Sequence, residues 1–382
     1  MTENAVMSVE ICDTTLRDGE QSPGVVFNPS QKIELAEKFL DFGIDIIELM
    51  PAISEKERQV ARYLSGNGAR ESITASTMLR KEHIQLARDY GIGRVTLFTP
   101  VSDVHLRYKM GISREENFDR AAEMVSYAKE QGLRVNFAGE DSTRADMEYL
   151  VGFINGLGDA VECFLPCDTL GCLTPRATYD FIRKLKARCN VPIGLHIHND
   201  FGLATASTLA GLDAGADMFS ATFTGIGERA GNAPMEEVCM ALKHLYGVDL
   251  GVDYEKLTPL CMLVQEYSGV KLQPHKPIVG ENAFSHESGV HVDGVIKYPG
   301  TYENFPPESV GQERMLLFGK HSGRSGLRHM LGPEVPENEI AYMLERVKAV
   351  SESERRALSA DDVREMYASE FSRSGRMVAD YV

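Results

Sequence analysis

The sequence lacks the marks of a secreted, membrane-spanning or nucleic-acid-binding chain. Its N-terminus has no apolar core of the signal-peptide kind, and no uninterrupted apolar run reaches membrane-spanning length. Positive charge is scarce: 40 Lys and Arg stand against 56 Asp and Glu, a formal net charge of −16. A polyanion such as DNA gains little from such a surface, so neither nucleic acid nor membrane is expected as a partner. The seven cysteines are odd in number and show no paired pattern, which argues against a disulfide framework and for a reducing cytoplasm. Cys163, Cys167 and Cys172 cluster in sequence, but without the C-x-x-C spacing of zinc sites. Low-complexity tracts and a G-x-G-x-x-G phosphate turn are also missing.

What is present is a regular alternation. Short apolar, β-branched runs fall at 9–12, 44–49, 72–77, 94–98, 134–137, 161–165, 193–197 and 218–223. Amphipathic stretches lie between them, including 30–42, 115–131, 144–157 and 174–188. Several of these open on a capping signal: Asn28-Pro29-Ser30, Ser113 with Glu116, and Thr174 before Pro175. Many close on glycine, as at Gly43, Gly91, Gly132 and Gly215. Strict βα alternation requires parallel strands, and eight units predict an α/β fold, a closed (β/α)8 TIM barrel. The competing doubly wound open sheet would usually carry the missing glycine-rich turn. Beyond about residue 250 the alternation stops. A helix is expected at 254–267, an irregular stretch rich in Gly, Pro and His at 268–325, and helices at 337–350 and 360–371. The expected division is a barrel over 1–250, a linking subdomain over 251–325, and a mostly helical C-terminal extension over 326–382.

Catalytic groups of such barrels sit at the C-terminal ends of the strands. Here those ends run into Asp13-Thr14-Thr15-Leu16-Arg17-Asp18, Glu140-Asp141, Asp168-Thr169, His196-Ile197-His198-Asn199-Asp200 and Gly225-Ile226-Gly227-Glu228-Arg229-Ala230-Gly231-Asn232. The N-terminal ends show no comparable concentration of charge. His196 and His198 stand at i and i+2 of a strand and share one face. With Asp18 they offer two nitrogens and an oxygen to a divalent cation. The other reading is a pair of hydrogen-bonded histidines in a wet barrel mouth. Arg17 is either a cation for a carboxylate or enolate oxygen, or a partner in a surface ion pair. In the tail, His291 within Ser285–Gly294 suits a general base or is a loop histidine. The basic stretch from Gly319 to Arg324 suits a phosphate or is simply solvated.

Four segments together carry a resemblance: Asp13-Thr14-Thr15-Leu16-Arg17-Asp18-Gly19-Glu20-Gln21, His196-Ile197-His198-Asn199-Asp200, Gly225 to Ala233, and Gly319-Lys320-His321-Ser322-Gly323. In order and over most of the chain they resemble the signatures of the 2-isopropylmalate/homocitrate/citramalate synthase family. The likeness runs toward the homocitrate synthases of the nitrogen-fixation and methanogen type. It implies a condensation of acetyl-CoA with a 2-oxo acid, most simply 2-oxoglutarate, with hydrolysis of the thioester. It further implies that Asp18, His196 and His198 hold a divalent metal (Mg, Mn, Zn or Co) with Asn232 beside them. Arg17 then contacts the 2-oxo acid and the developing enolate, Thr169 the substrate carboxylate, and Glu140 the reacting acetyl group. His291 and Tyr302 match a pair that reaches the other subunit's active site in an intertwined homodimer.

The sequence also departs from the family pattern. Lysine-pathway homocitrate synthases hold the distal carboxylate with an arginine and a serine on strand five, where this chain has Asn136 and Ala138. On strand three their histidine is replaced by Ser76 or a neighbour. Asn136 and Ser76 therefore stand as candidate substrate-binding residues. The short stretch after Gly323 leads us to expect no feedback domain of the kind isopropylmalate and citramalate synthases carry. Acceptors such as oxaloacetate, a phosphonomethylmalate synthase, or a lyase like HMG-CoA lyase remain architectural alternatives.

Overall fold

A computed structural model describes residues 9–371. Eight parallel strands close into a barrel: β1 (Glu10–Asp13), β2 (Ile46–Leu49), β3 (Ile73–Met78), β4 (Arg94–Pro100), β5 (Arg134–Glu140), β6 (Cys163–Asp168), β7 (Gly194–Ile197) and β8 (Met218–Ala221). Closure comes from β1 pairing with β8, with Glu10 opposite Met218 and Asp13 opposite Ala221. The expected strands are all present, with ends that coincide or shift by up to three residues. β5 and β6 run further than anticipated, so Glu140 and Asp168 are themselves strand residues.

Helices α1 (Pro29–Phe42), α2 (Glu55–Leu64), α3 (Lys81–Asp89), α4 (Arg114–Glu130), α5 (Met147–Leu157), α6 (Pro175–Arg188), α7 (Ala204–Asp213), α8 (Met235–Ala241) and α9 (Leu257–Ser268) lie between or after the strands. The capping signals act as read. Asn28 and Gln31 exchange a capping box around Pro29, and Ser113 and Thr174 accept backbone N–H groups of Glu116 and Ala177. Between strand and helix layers, the ring of Phe137 on β5 stacks on Phe164 of β6 at 5.8 Å and meets Phe153 of α5 edge-on at 5.4 Å.

One expectation fails. The N-terminal ends of the strands do carry a charge concentration. Buried Arg94 reaches Glu10 at 3.3 Å and Glu162 at 3.7 Å, and Arg134 donates to Glu162 at 2.7 Å. These residues sit at or just before strand starts, where the open barrel bottom needs polar closure, and their charges are mutually spent.

The first compact unit extends to Leu272, and a second begins at Gln273. Taken by itself, the second unit is less irregular than its composition suggests. Strands β9 (Ser285–His286) and β10 (Met315–Leu316) pair in parallel, and a helix α10 (Gly289–Lys297) follows β9. That helix escaped the sequence reading because nine residues containing two glycines show too little periodicity. Helices α11 (Arg324–Leu331), α12 (Glu337–Glu354) and α13 (Ala360–Phe371) pack around Phe318, Leu327, Ile340, Met343, Val347 and Leu358. Among the described residues no helix is long and apolar enough to cross a membrane. All seven cysteines are free.

Replacing Phe137, fully buried between β5, β6 and α5, by alanine leaves a ring-sized void. The expected loss is about 3–5 kcal/mol of unfolding free energy, measured by urea denaturation followed by circular dichroism. A loss below about 1 kcal/mol would contradict the packing described.

Candidate active site

The C-terminal rim of the barrel opens into a cavity of about 450 Å³. Arg17, Asp18, Asn136, Glu140, Thr169, His196 and His198 all line it. Ser76 does not. It is buried behind Arg17 and accepts that residue's Nε–H at 3.2 Å, while Met78 presents the strand-three surface to the cavity.

The two imidazoles share a face, as their spacing requires. His198 Nδ1 lies 3.2 Å from the Gly231 carbonyl, which can only accept, so Nδ1 carries the proton and Nε2 keeps its lone pair. His196 Nδ1 lies 2.7 Å from Ser220 Oγ. The two Nε2 atoms face each other at 3.2 Å, and His196 Nε2 is 3.8 Å from Asp18 Oδ2. Asp18, His196 and His198 each offer a donor atom within 4.8 Å of the others, the one such group found among the described residues. Asn232 gives both amide hydrogens away, to Asp18 Oδ1 at 2.8 Å and Ile226 O at 3.2 Å, and its buried Oδ1 has no hydrogen-bond partner. An N₂O donor set with an orphaned amide oxygen beside it fits a divalent cation.

Electrostatics point the same way. Burial opposes the charge on Asp18, yet Arg17, the two histidines and the Asn232 hydrogen bond hold its carboxyl well below the usual range. Burial drives His196 down to about 3, helped by His198 and opposed by Asp18, and burial likewise lowers His198. Both rings are therefore neutral near pH 7, the form that ligates. Arg17 donates to Asp18 Oδ2 at 2.8 Å and lies over the Phe98 ring, 5.8 Å from its centroid.

The glycines of the β8 loop have a steric reason. A Cβ on Gly231, at φ +87°, would sit 1.9 Å from the Gly225 carbonyl, and one on Gly227 would sit 2.2 Å from Asn232 Nδ2.

Several residues escaped the sequence reading. Glu48, at the end of β2, accepts from Thr14 Oγ1 at 2.7 Å, lies 3.7 Å from Arg17 and lines the cavity. Its signal was a second acid, after Asp45, inside a short β-branched run. Asp13, already visible at the end of the first strand, is fully buried and pushed up to about 7 by burial, against the hydrogen bonds it accepts from Thr15. Lys109 donates to both oxygens of Glu140 at 2.7 and 2.8 Å, and His105 Nδ1 stands 3.1 Å from it. Thr169 Oγ1 accepts the Asp141 N–H at 2.9 Å.

His291 and Tyr302 lie in the second unit. Their rings stack at 4.1 Å and both are exposed. Nearby, Glu303 takes a two-pronged bond from Arg314 and faces His286. In the Gly319-to-Arg324 stretch, Lys320 and Arg324 are each paired, with Glu352 and Glu337.

The HMGL-like family matches residues 8–264, and a homocitrate synthase post-HMGL domain-like family matches 278–355. The chain belongs to the HMGL-like family. Among its relatives is a homocitrate synthase of Methanopyrus kandleri, 43% identical over 90% of this chain and 88% of that one. A 2-isopropylmalate synthase of Methanocaldococcus jannaschii is 40% identical over 92% of this chain and 70% of its own length. An (R)-citramalate synthase of the same organism is 41% identical over 90% and 71%. This HMGL-like protein is thus an enzyme of the 2-oxo-acid-condensing synthases. An HMG-CoA lyase from Pseudomonas aeruginosa, at 21% identity and a TM-score of 0.60, covers 69% of this chain and 94% of that one and shares the barrel fold.

In metal-free protein the depressed histidines set a pH dependence. Below the ordinary histidine range the unfolded chain takes up protons that buried His196 refuses until about pH 3. The stability carried by the neutral His196 ring therefore falls as pH drops from 7 toward 4, while Asp13, raised to about 7, contributes in the opposite sense over the same range. In a thermal-unfolding series His196→Asn should lose less stability than the wild type between pH 7 and 4. An equal slope in both proteins would contradict the assignment.

Proposed function

We propose that this enzyme joins the methyl carbon of acetyl-CoA to the keto carbon of a 2-oxo acid and hydrolyses the thioester, with 2-oxoglutarate as acceptor and homocitrate as product. The observation that carries the reading is the Asp18–His196–His198 donor set with Arg17 beside it at the cavity wall. A divalent cation held there supplies Lewis acidity to a 2-oxo acid's keto oxygen. Thr169 binds the acceptor's carboxylate. His291, with Glu140, takes a methyl proton from acetyl-CoA. The enolate carbon forms the new bond to the keto carbon, whose electron pair moves to oxygen, where Arg17 stabilises the negative charge before protonation. Water then adds to the thioester, and CoA leaves as the thiol. The role of His291 and Tyr302 carries with it an intertwined homodimer, and the enzyme is placed in the cytoplasm.

The acceptor choice is supported by the match to the post-HMGL homocitrate synthase domain and by the homocitrate synthase relative. A second reading has its own support. Met50, Ile53, Met78, Phe98 and Leu165 give the cavity an apolar wall, and Asn136 and Ala138 stand where a carboxylate-binding pair was sought. An acceptor with an apolar side chain, such as pyruvate or 2-oxoisovalerate, suits that wall.

Thiol release from acetyl-CoA, measured against 2-oxoglutarate, oxaloacetate, pyruvate and 2-oxoisovalerate with Mg, Mn, Zn or Co, tests both readings. We expect turnover with one acceptor, its abolition by chelator, and a loss of about 10²–10³-fold or more in kcat for Arg17→Gln. No thiol release with any acceptor by metal-loaded protein would overturn the synthase reading. Cleavage of a hydroxyacyl-CoA would replace it with a lyase.

A further inference from the structure

Lys32 is among the most deeply buried side chains of the chain, yet it is charged. It sits in α1, outside the cavity lining. Its ammonium has three donors, and three acceptors surround it: the Leu16 carbonyl at 3.0 Å, Glu20 Oε2 at 2.5 Å and Glu57 Oε1 at 2.6 Å. Leu16 and Glu20 bracket Arg17 and Asp18. Glu20 also accepts the Phe27 N–H at 2.8 Å and so closes the far side of the same loop. Glu57 comes from α2, whose Ser54 cap fixes the start of that helix. A buried cation of this kind is costly unless every donor is satisfied, and here two of its three partners, Leu16 and Glu20, flank Arg17 and Asp18 at the cavity wall.

We propose that Lys32 is a positioning residue for the Arg17–Asp18 pair, fixing the β1 loop so that the Asp18 carboxylate meets His196 and His198. The loop has no regular secondary structure of its own between Asp13 and a single 3₁₀ turn at Gly19–Gln21. Backbone bonds Arg17 N to Thr14 O and Gly19 N to Thr14 O curl it, and the Lys32 contacts tie that curl to α1 and α2. Loss of the ammonium leaves Leu16 O, Glu20 Oε2 and Glu57 Oε1 without this donor and frees the loop to shift. A carboxylate displaced by an ångström no longer completes the donor set. Groups that orient metal ligands from behind are worth about 10–100-fold in metal affinity.

This inference rests on the reading that Asp18, His196 and His198 hold a divalent cation, and the experiment separates the two. Co(II) is titrated into the full-length metal-free protein and followed by its visible d–d absorption. Lys32→Met should raise the Co(II) Kd at least tenfold, with the band changed in shape. Glu20→Gln, which keeps side-chain shape and is less disruptive, should move it in the same direction by a smaller factor. Arg94→Met, which removes a buried cation from the opposite end of the barrel, controls for general destabilisation and should leave Kd within about twofold. Should Lys32→Met fail to fold, Glu20→Gln against Arg94→Met decides. Wild-type affinity in Lys32→Met, or in Glu20→Gln where that variant decides, overturns the positioning role alone. An equal shift in Arg94→Met also overturns it. Absence of Co(II) binding by the wild-type protein overturns the metal reading and this inference with it.

Discussion

Closure of the barrel is the constraint from which the site follows. β1 has no partner on its outer edge until β8 returns to it, and that pairing sets Asp13 opposite Ala221. Everything after β1 and everything after β8 is thereby brought to one rim. Asp18 and Asn232 are 214 residues apart in sequence and 2.8 Å apart in space. Neither could be placed by local preference. Their meeting is a property of an edge-free parallel sheet, in which every strand ends on the same side.

Within that frame the site is organised by one buried carboxylate. Asp18 Oδ2 is held by Arg17 and Oδ1 by Asn232, while His196 stands just beyond hydrogen-bond range. The histidines are in turn oriented from behind, one by a serine hydroxyl and one by a main-chain carbonyl. Orientation of this kind fixes which nitrogen is bare. The same logic reaches outward to Lys32, whose contacts act on the loop rather than on the carboxylate.

Much of this was legible in the sequence. Strand order, barrel closure and the convergence of Arg17, Asp18, His196 and His198 follow from alternation and from the two-residue period of a strand. The side chains that were missed share a reason. Glu48 shares a short β-branched run with Asp45, where pattern reading sees a strand and not a site. Lys32 lies on a helix face that periodicity assigns to the core, so its charge reads as a flaw in the pattern. Lys109 becomes informative only beside Glu140, a contact across 31 residues. The opposite error occurred at the barrel bottom. Arg94, Glu10, Glu162 and Arg134 are charged as the rim is, but they pair with one another. Charge density alone does not distinguish a catalytic end from a structural one; a cavity lined by a convergent donor set does.

The cavity wall has a division of labour. The side that carries the Asp18–His196–His198 donor set is built by the first, seventh and eighth strands, whereas Met50, Met78 and Phe98 come from the second, third and fourth. The two sectors touch through Arg17, which bonds Asp18 on one flank and overlies Phe98 on the other. Substitutions on the second sector reshape the space offered to a side chain while leaving the opposite arc intact. The volume and polarity of that sector can thus change while the donor set stays as it is. Relatives at a similar distance from this chain, at 40–43% identity, bear three different product names.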